Sequence, residues 1–241
     1  MKLEVVYEDK DMLICRKPAG LAVQSASIGR KDLESLVRTY LFEKSGQTNP
    51  YLGIIHRLDQ PVQGLVVFAK NQKSAADLSR QVQDGRMKKH YLAIVEGDPK
   101  PEETLTHYLK KEPRGNLSAA VSEKTPGAKK ATLTYRWKKS DSSGKSLVEI
   151  ELFTGRHHQI RVQMAAAKLP LVGDVKYRPR EDALLQSGST GEGAKHFNRE
   201  QLALCAYRLE LQQPRNGRKL VVTSRPEGSL WDGFSEYLSE L

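Results

Sequence analysis

The sequence predicts an α+β protein with a mixed, mainly antiparallel central sheet flanked by helices and loops. Three observations lead there. Leu65-Val66-Val67-Phe68-Ala69 is apolar without a break and reads as a buried strand. Residues 103–153 hold a succession of β-rich runs parted by turn-prone stretches. Apolar residues at helical spacing recur in a few segments only: 32–44, 71–84, from about 157, and near the C-terminus.

The chain of 241 residues is 38% hydrophobic, enough to bury a core, and is long enough for one large domain or two small ones. Its 39 basic and 29 acidic residues leave a formal charge of +10, which favours a polyanionic partner, nucleic acid first. Cys15 and Cys205 both lie in apolar runs and read as small buried hydrophobes. With no disulfide framework and no CxxC, a reducing cytoplasm fits. The N-terminus lacks a signal-peptide core, and no run of about 18 apolar residues exists. The expectation is a soluble, monomeric protein with no membrane contact. No repeat of fixed period is present.

In chain order, residues 3–7 and 12–15 are strands joined through Glu8-Asp9-Lys10-Asp11. In Arg16-Lys17-Pro18-Ala19-Gly20-Leu21 the Pro and Gly suit a reversing loop, and the basic residues read as solvated rather than phosphate-bound. Leu33, Leu36, Val37, Tyr40 and Leu41 form the stripe of a helix over 32–44, closed by residues 46–50. Ile54 and Ile55 suggest a short buried strand before 65–69. Asn71 caps a helix reaching about Asp84, with Ala75, Leu78 and Val82 inward and Gly85 as its stop. Residues 86–97 open on basic residues and become a strand at Tyr91. Strands follow at 103–109, 117–121 and 131–137, separated by basic stretches 110–116 and 124–130, where solvation and phosphate contact are evenly matched. Asp141-Ser142-Ser143-Gly144 turns into a strand over 146–153. Residues 178–200 read as a flexible polar loop, 201–211 and 219–223 as strands. Trp231, Phe234 and Tyr237 lie on a short terminal helix, where a packing face outweighs a base-stacking platform.

Two segments carry chemistry. His56-Arg57-Leu58-Asp59-Gln60-Pro61-Val62-Gln63-Gly64 is a polar turn between two core strands, holding one acid, Asp59, and a cation two residues earlier, Arg57. A carboxylate so placed is held rigidly at the mouth of a sheet, where a nucleophile or general base is useful. Most turn Asp residues instead accept backbone N–H bonds, and the local residues leave both open. In Thr154-Gly155-Arg156-His157-His158-Gln159-Ile160-Arg161 a Gly-containing turn leads into a helix near His157. Ile160, Met164 and Ala167 share one face of it. Arg161 lies beside that face, is at least partly buried, and needs an anion, for which Asp59 is the strongest candidate. Adjacent His157 and His158 point about 100° apart on a helix and have no acidic partner at ligand spacing, so they read as contacts to phosphate or backbone rather than metal ligands.

These segments together resemble the RluA-type family of RNA pseudouridine synthases. The resemblance runs over nearly the whole chain and rests on three motifs in family order: His56-Arg57-Leu58-Asp59 with Gly64 and the strand after it, Lys89-His90-Tyr91-Leu92-Ala93, and Thr154-Gly155-Arg156-x-His158-Gln159-Ile160-Arg161. Lys17-Pro18-x-Gly20-Leu21 and Pro170-x-x-Gly173-Asp174-x-x-Tyr177 also match. The second of these reads as packing around the site. The resemblance implies a single catalytic domain with an active-site cleft across the sheet. It implies conversion of uridine to pseudouridine in ribosomal or transfer RNA, with base flipping and with no cofactor or metal. Asp59 is then the nucleophile and Arg57 helps expel the base. Tyr91 stacks on the uracil and takes part in proton transfer, and Arg161 pairs with Asp59. His56, Arg156 and His158 are further substrate-binding residues. The family's frequent S4 domain is not expected. Where the family often has Ser, this chain has Gln63, which alters hydrogen bonding beside the site. Two other readings stay open: a non-catalytic RNA-binding or ribosome-assembly protein on the same fold, and a hydrolase of N-glycosidic bonds.

Overall fold

The computed structural model describes residues 1–25, 29, 31–178 and 202–241. The reading of 178–200 as a flexible loop, Arg178 apart, lies outside them. The chain packs as two compact units, the first formed by Met1–His90, Cys205–Pro226 and Leu241, the second by Tyr91–Leu204 and Glu227–Glu240.

In the first unit, β1 (Glu4–Glu8) and β2 (Met12–Lys17) form the expected hairpin, its turn fixed by the Asp9 carboxylate accepting the Asp11 and Met12 amides at 2.8 Å. Helix α1 (Leu33–Ser45) follows, with Asp32 as a reciprocal N-cap and Gly46 as a left-handed stop. Leu33, Val37 and Leu41 of the expected stripe are buried. β3 (Gly53–Ile54) is short and only partly buried, because it flanks one end of its partner rather than lying in the core. β4 (Gln63–Ala69) is buried at every position, as its unbroken apolar run requires. It pairs antiparallel with β2 along one edge, and with β3 and the parallel β10 (Leu204–Gln212) on the other. β11 (Lys219–Thr223) pairs antiparallel with β10. Helix α2 (Gln72–Gln83), capped by Asn71, packs Leu78 into a core with Met12, Ile14, Leu65, Val67 and Leu209.

In the second unit the strand order is β5 (Lys88–Glu96), β9 (Lys145–Leu152), β8 (Lys129–Ser140), β6 (Glu102–Lys111) and β7 (Ser118–Val121). β5 begins at Lys88, so Tyr91 lies within the strand rather than opening it. β6 and β8 run past their expected ends and take in basic residues, since a paired edge tolerates Lys where alternation keeps one face apolar. Helix α3 (Gln159–Ala166) lies on this sheet, with Val162 packed against Leu109 and Ala131. Residues 229–234 are a 3-10 helix and Ser235–Ser239 form α4. Trp231 and Phe234 are buried, which supports packing over base stacking. Both cysteines are buried, and burial pushes the Cys15 thiol up to about 12. Among the described residues no helix is long and apolar enough to cross a membrane.

Candidate active site

The Asp59 turn is built by β-ladder geometry and one buried lysine. Ile55 donates its amide to the Val67 carbonyl at 3.2 Å, continuing the β3–β4 ladder one step. The next acceptor is a side chain: the Val67 amide donates to His56 Nε2 at 3.3 Å. The imidazole therefore ends the ladder and releases residues 57–62 from the sheet. Leu58 and Val62 turn inward and are buried, Arg57 is exposed, and Asp59 is half-buried between them. The Val62 amide closes the turn on the Asp59 carbonyl at 3.0 Å.

Lys17 is 0% exposed. Its Nζ donates to the carbonyls of Pro18, Leu21 and Gln60 at 3.0, 2.6 and 2.9 Å. The Gly20 amide and carbonyl bond the carbonyl and side-chain amide of Gln60, both at 2.9 Å. The loop after β2 is thus stitched to the residue following Asp59. Burial pushes the Lys17 ammonium down to about 7, with the Asp59 charge acting against that shift. The sequence expectation of a solvated cation is corrected: this lysine organises the turn from inside.

Gly64 meets Gly-only requirements. Its φ is +120°, and a Cβ there would stand 2.4 Å from the Ala206 carbonyl oxygen and 2.6 Å from the Ala206 nitrogen. Parallel pairing of Ala206 with Gly64 brings β10 that close. Gln63 turns its carbonyl oxygen to Arg16 Nη2 at 3.5 Å, which is what this chain does at the position where it departs from the motif.

His56 is neutral at physiological pH, since burial and then the Lys89 charge hold it down to about 3. As an acceptor for Val67 it serves the ladder, which is what the structure shows of this expected substrate-binding residue. Arg57 has no hydrogen-bond or ion-pair partner among the described residues.

In the second unit Tyr91 is buried within β5. The third motif forms a polar clamp on α3. Gln159 accepts the Thr154 hydroxyl at 2.7 Å and the Arg156 amide at 3.0 Å, and donates to the Thr132 carbonyl at 3.1 Å. Gln163, fully buried, accepts from Gln159 and donates to the Leu105 and Ala131 carbonyls. Arg156 is exposed, with its Nε on the Lys130 carbonyl at 3.0 Å.

The two histidines precede the helix rather than lying on it. His158 is the N-cap, at φ +54°, a left-handed conformation uncommon outside glycine. Their rings stack at 3.8 Å. His157 bonds Ser118 Oγ at 2.8 Å and Asn116 Oδ1 at 2.9 Å. His158 is buried, its Nδ1 lies 2.6 Å from the Tyr177 hydroxyl, and burial with the Arg161 charge pushes it down to about 3. Within the protein both rings thus meet side chains, and His158 is neutral there.

Arg161, 4% exposed, donates through Nε and Nη2 to the Asp174 carboxylate at 2.7 and 2.6 Å. Its guanidinium carbon lies 5.1 Å from the Tyr177 ring centre. Burial was legible from the apolar face beside it. Asp174 was not, because the stretch from Pro170 to Tyr177 reads only as packing around the site. That acid, thirteen residues after a buried arginine, was the available signal.

A family model described as RNA pseudouridylate synthase matches residues 11–166. An uncharacterized RNA pseudouridine synthase, YhcT, of Bacillus subtilis is 32% identical over 93% of this chain and 68% of its own length. The ribosomal large subunit pseudouridine synthase D of Nitrosomonas europaea is 33% identical over 91% of this chain and 60% of its own. The chain thus spans about 60–68% of the length of these curated relatives. A solved structure of human RNA pseudouridylate synthase domain containing 4 superposes with a TM-score of 0.73, covering 93% of this chain and 88% of that one at 22% identity, which shows the shared fold. Matched through the segments that build the Asp59 turn and the Arg161 helix, the chain belongs to the RluA-type RNA pseudouridylate synthase family.

Proposed function

We propose that residues 1–241 act as one catalytic domain that isomerises uridine to pseudouridine in structured RNA, with Asp59 as nucleophile. The observation that carries this is the Asp59 turn: a half-buried carboxylate on a loop braced by Lys17, beside an exposed arginine with no partner among the described residues. A rigid carboxylate attacks without first being ordered, and its neighbour Arg57 is at liberty to enter a helix.

In this reaction the Asp59 carboxylate adds to the target nucleoside and the N1–C1′ bond breaks. The uracil turns, a C5–C1′ bond forms, the bond to Asp59 breaks and returns its carboxylate, the C5 proton leaves, and N1 takes up a proton. The base is oxidised nowhere along this path and nothing is consumed, so the net chemistry calls for no redox cofactor. Extruding the uridine costs a few kcal/mol of unstacking. Arg57 offsets part of it by filling the vacated space, and Tyr91 offers its ring to the uracil and its phenol to the proton leaving C5. Arg161 keeps one edge of its guanidinium on Asp174 and supplies a fixed positive charge to the reaction. Arg156, exposed at the head of the third motif, contacts phosphate. Relatives named for the ribosomal large subunit make ribosomal RNA the first substrate to test, with transfer RNA second.

The test is conversion of uridine in RNA from cells lacking the gene, with intact RNA mass, free uracil and pseudouridine measured together. Asp59→Asn is expected to slow conversion at least about a thousandfold, roughly 4 kcal/mol of transition-state stabilisation, while RNA affinity stays within about threefold. Release of free uracil by the parent chain would indicate hydrolysis instead. Normal turnover by Asp59→Asn would remove Asp59 from the mechanism.

A further inference from the structure

We propose that Asp174 is a positioning residue for the pseudouridylation reaction: it fixes which edge of the Arg161 guanidinium is offered to the reacting groups. The inference rests on the function proposed above. A guanidinium carries five N–H groups in one plane. Asp174 takes the side edge, with Nε to Oδ2 at 2.7 Å and Nη2 to Oδ1 at 2.6 Å. That fork sets the plane and roll of the group, and the Nη1 edge is directed away from Asp174 by geometry alone.

Asp174 is itself fixed. It is 2% exposed, and its Oδ1 also accepts the amides of Lys176 at 2.9 Å and Tyr177 at 3.3 Å. The carboxylate therefore cannot turn without breaking its own loop. Tyr177 closes the other side. Its ring lies against the guanidinium, and its hydroxyl accepts the Ser118 amide at 2.9 Å and bonds His158 Nδ1 at 2.6 Å. Ser118 belongs to β7 and His158 caps α3, so sheet and helix both set the tyrosine, and the tyrosine and Asp174 together set the arginine.

Packing alone does not call for such an arrangement. A buried ion pair gives little net stability over apolar residues of the same size. What the pair supplies is a single orientation, which a lysine ammonium, lacking a planar fork, would not hold. Asp174 does not need to touch the uridine. It acts through Arg161.

The experiment uses the full chain and an RNA that the parent converts. Single-turnover pseudouridine formation and RNA affinity are measured well below the melting temperature of each variant. Asp174→Asn keeps an acceptor for the Lys176 and Tyr177 amides but places an NH2 group against the guanidinium. The expected result is a rate at least fiftyfold lower with RNA affinity within threefold. Combining it with Arg161→Lys should slow the reaction no more than threefold beyond Arg161→Lys alone. Asp174→Glu keeps the charge and moves the carboxylate by one methylene, so it covers the case in which Asp174→Asn does not fold. It should lose at least tenfold in rate with affinity kept. A parental rate in either folded Asp174 variant overturns the inference, as does a further tenfold loss in the combined variant. If the parent converts no uridine at all, the proposed function falls and this inference falls with it.

Discussion

Lys17 shows how one buried side chain can set the turn that carries Asp59. Its three carbonyl acceptors belong to Pro18, Leu21 and Gln60, so its removal loosens the loop after β2 and the turn holding Asp59 together. Lys17→Met fills the same space but leaves those carbonyls short of a donor. It should cost roughly 1–3 kcal/mol, read from denaturant midpoints, and lower the conversion rate with RNA affinity little changed. A variant with parental stability and rate would show that the three bonds brace nothing. His56 gives a pH dependence. Its ordinary value is 6.5 and the fold holds it at about 3, so between those values the unfolded chain binds more protons. Its contribution is complete above about pH 6.5 and is lost as pH falls toward 3. His56→Gln keeps an acceptor for the Val67 amide and does not titrate. The parent should therefore lose more stability than His56→Gln between pH 7 and pH 4.5, and equal losses would mean His56 titrates as in the unfolded chain. At this scale the sequence placed Asp59 and Arg57 on a turn ahead of the buried strand 65–69, where the structure has them, because Pro61, Gly64 and the apolar run are local signals. It did not reveal the burial of Lys17, which depends on a loop folding back over forty residues of chain to reach Gln60.

Secondary-structure elements position the site through close approach as much as through length. β10 lies parallel to the start of β4, and its Ala206 backbone occupies the space a side chain at position 64 would need. Gly64→Ala should destabilise the chain by at least about 2 kcal/mol, through the contact and the left-handed φ together. A thermal melt within one degree of the parent would show that β10 gives way freely. On α3 the buried pair makes the opposite case. Arg161→Ala strands the Asp174 carboxylate and should cost about 3–5 kcal/mol. A melt unchanged from the parent would count against burial of the pair. The sequence made most strands and both long helices legible, since alternation and capping are local. Leu33, Val37 and Leu41 face inward as their spacing required. Strand ends were less legible, because β6 and β8 are extended by pairing with each other through Lys129 and Lys130, which no local pattern favours. The start of α3 was displaced because His158 adopts a left-handed conformation, with its ring against His157 and Tyr177, which no local pattern signals.

Across the whole chain the excess of ten positive charges bears on affinity rather than on chemistry. Most of the ion pairs described, such as Lys138 with Glu149 and Lys219 with Glu210, already satisfy local acids. Among the described residues, cations without an acidic partner, Arg57 among them, are what a phosphate backbone can recruit. Binding through such groups releases counterions, so log K falls linearly with log salt, by about 0.7 for each phosphate neutralised on a single strand. Neutralising roughly five phosphates gives a slope near −3.5, about a hundredfold weaker binding between 50 and 200 mM salt. Arg57→Ala should flatten the slope by at most about one unit while slowing conversion further than the affinity loss accounts for, because Arg57 is assigned to the extruded base as well as to charge. Asp59→Asn should leave the slope unchanged, since the Asp59 carboxylate contributes no phosphate contact. Affinities titrated at four salt concentrations separate these effects. A slope near zero for the parent chain would mean that RNA is held by shape and stacking, and that the basic surplus serves some other purpose.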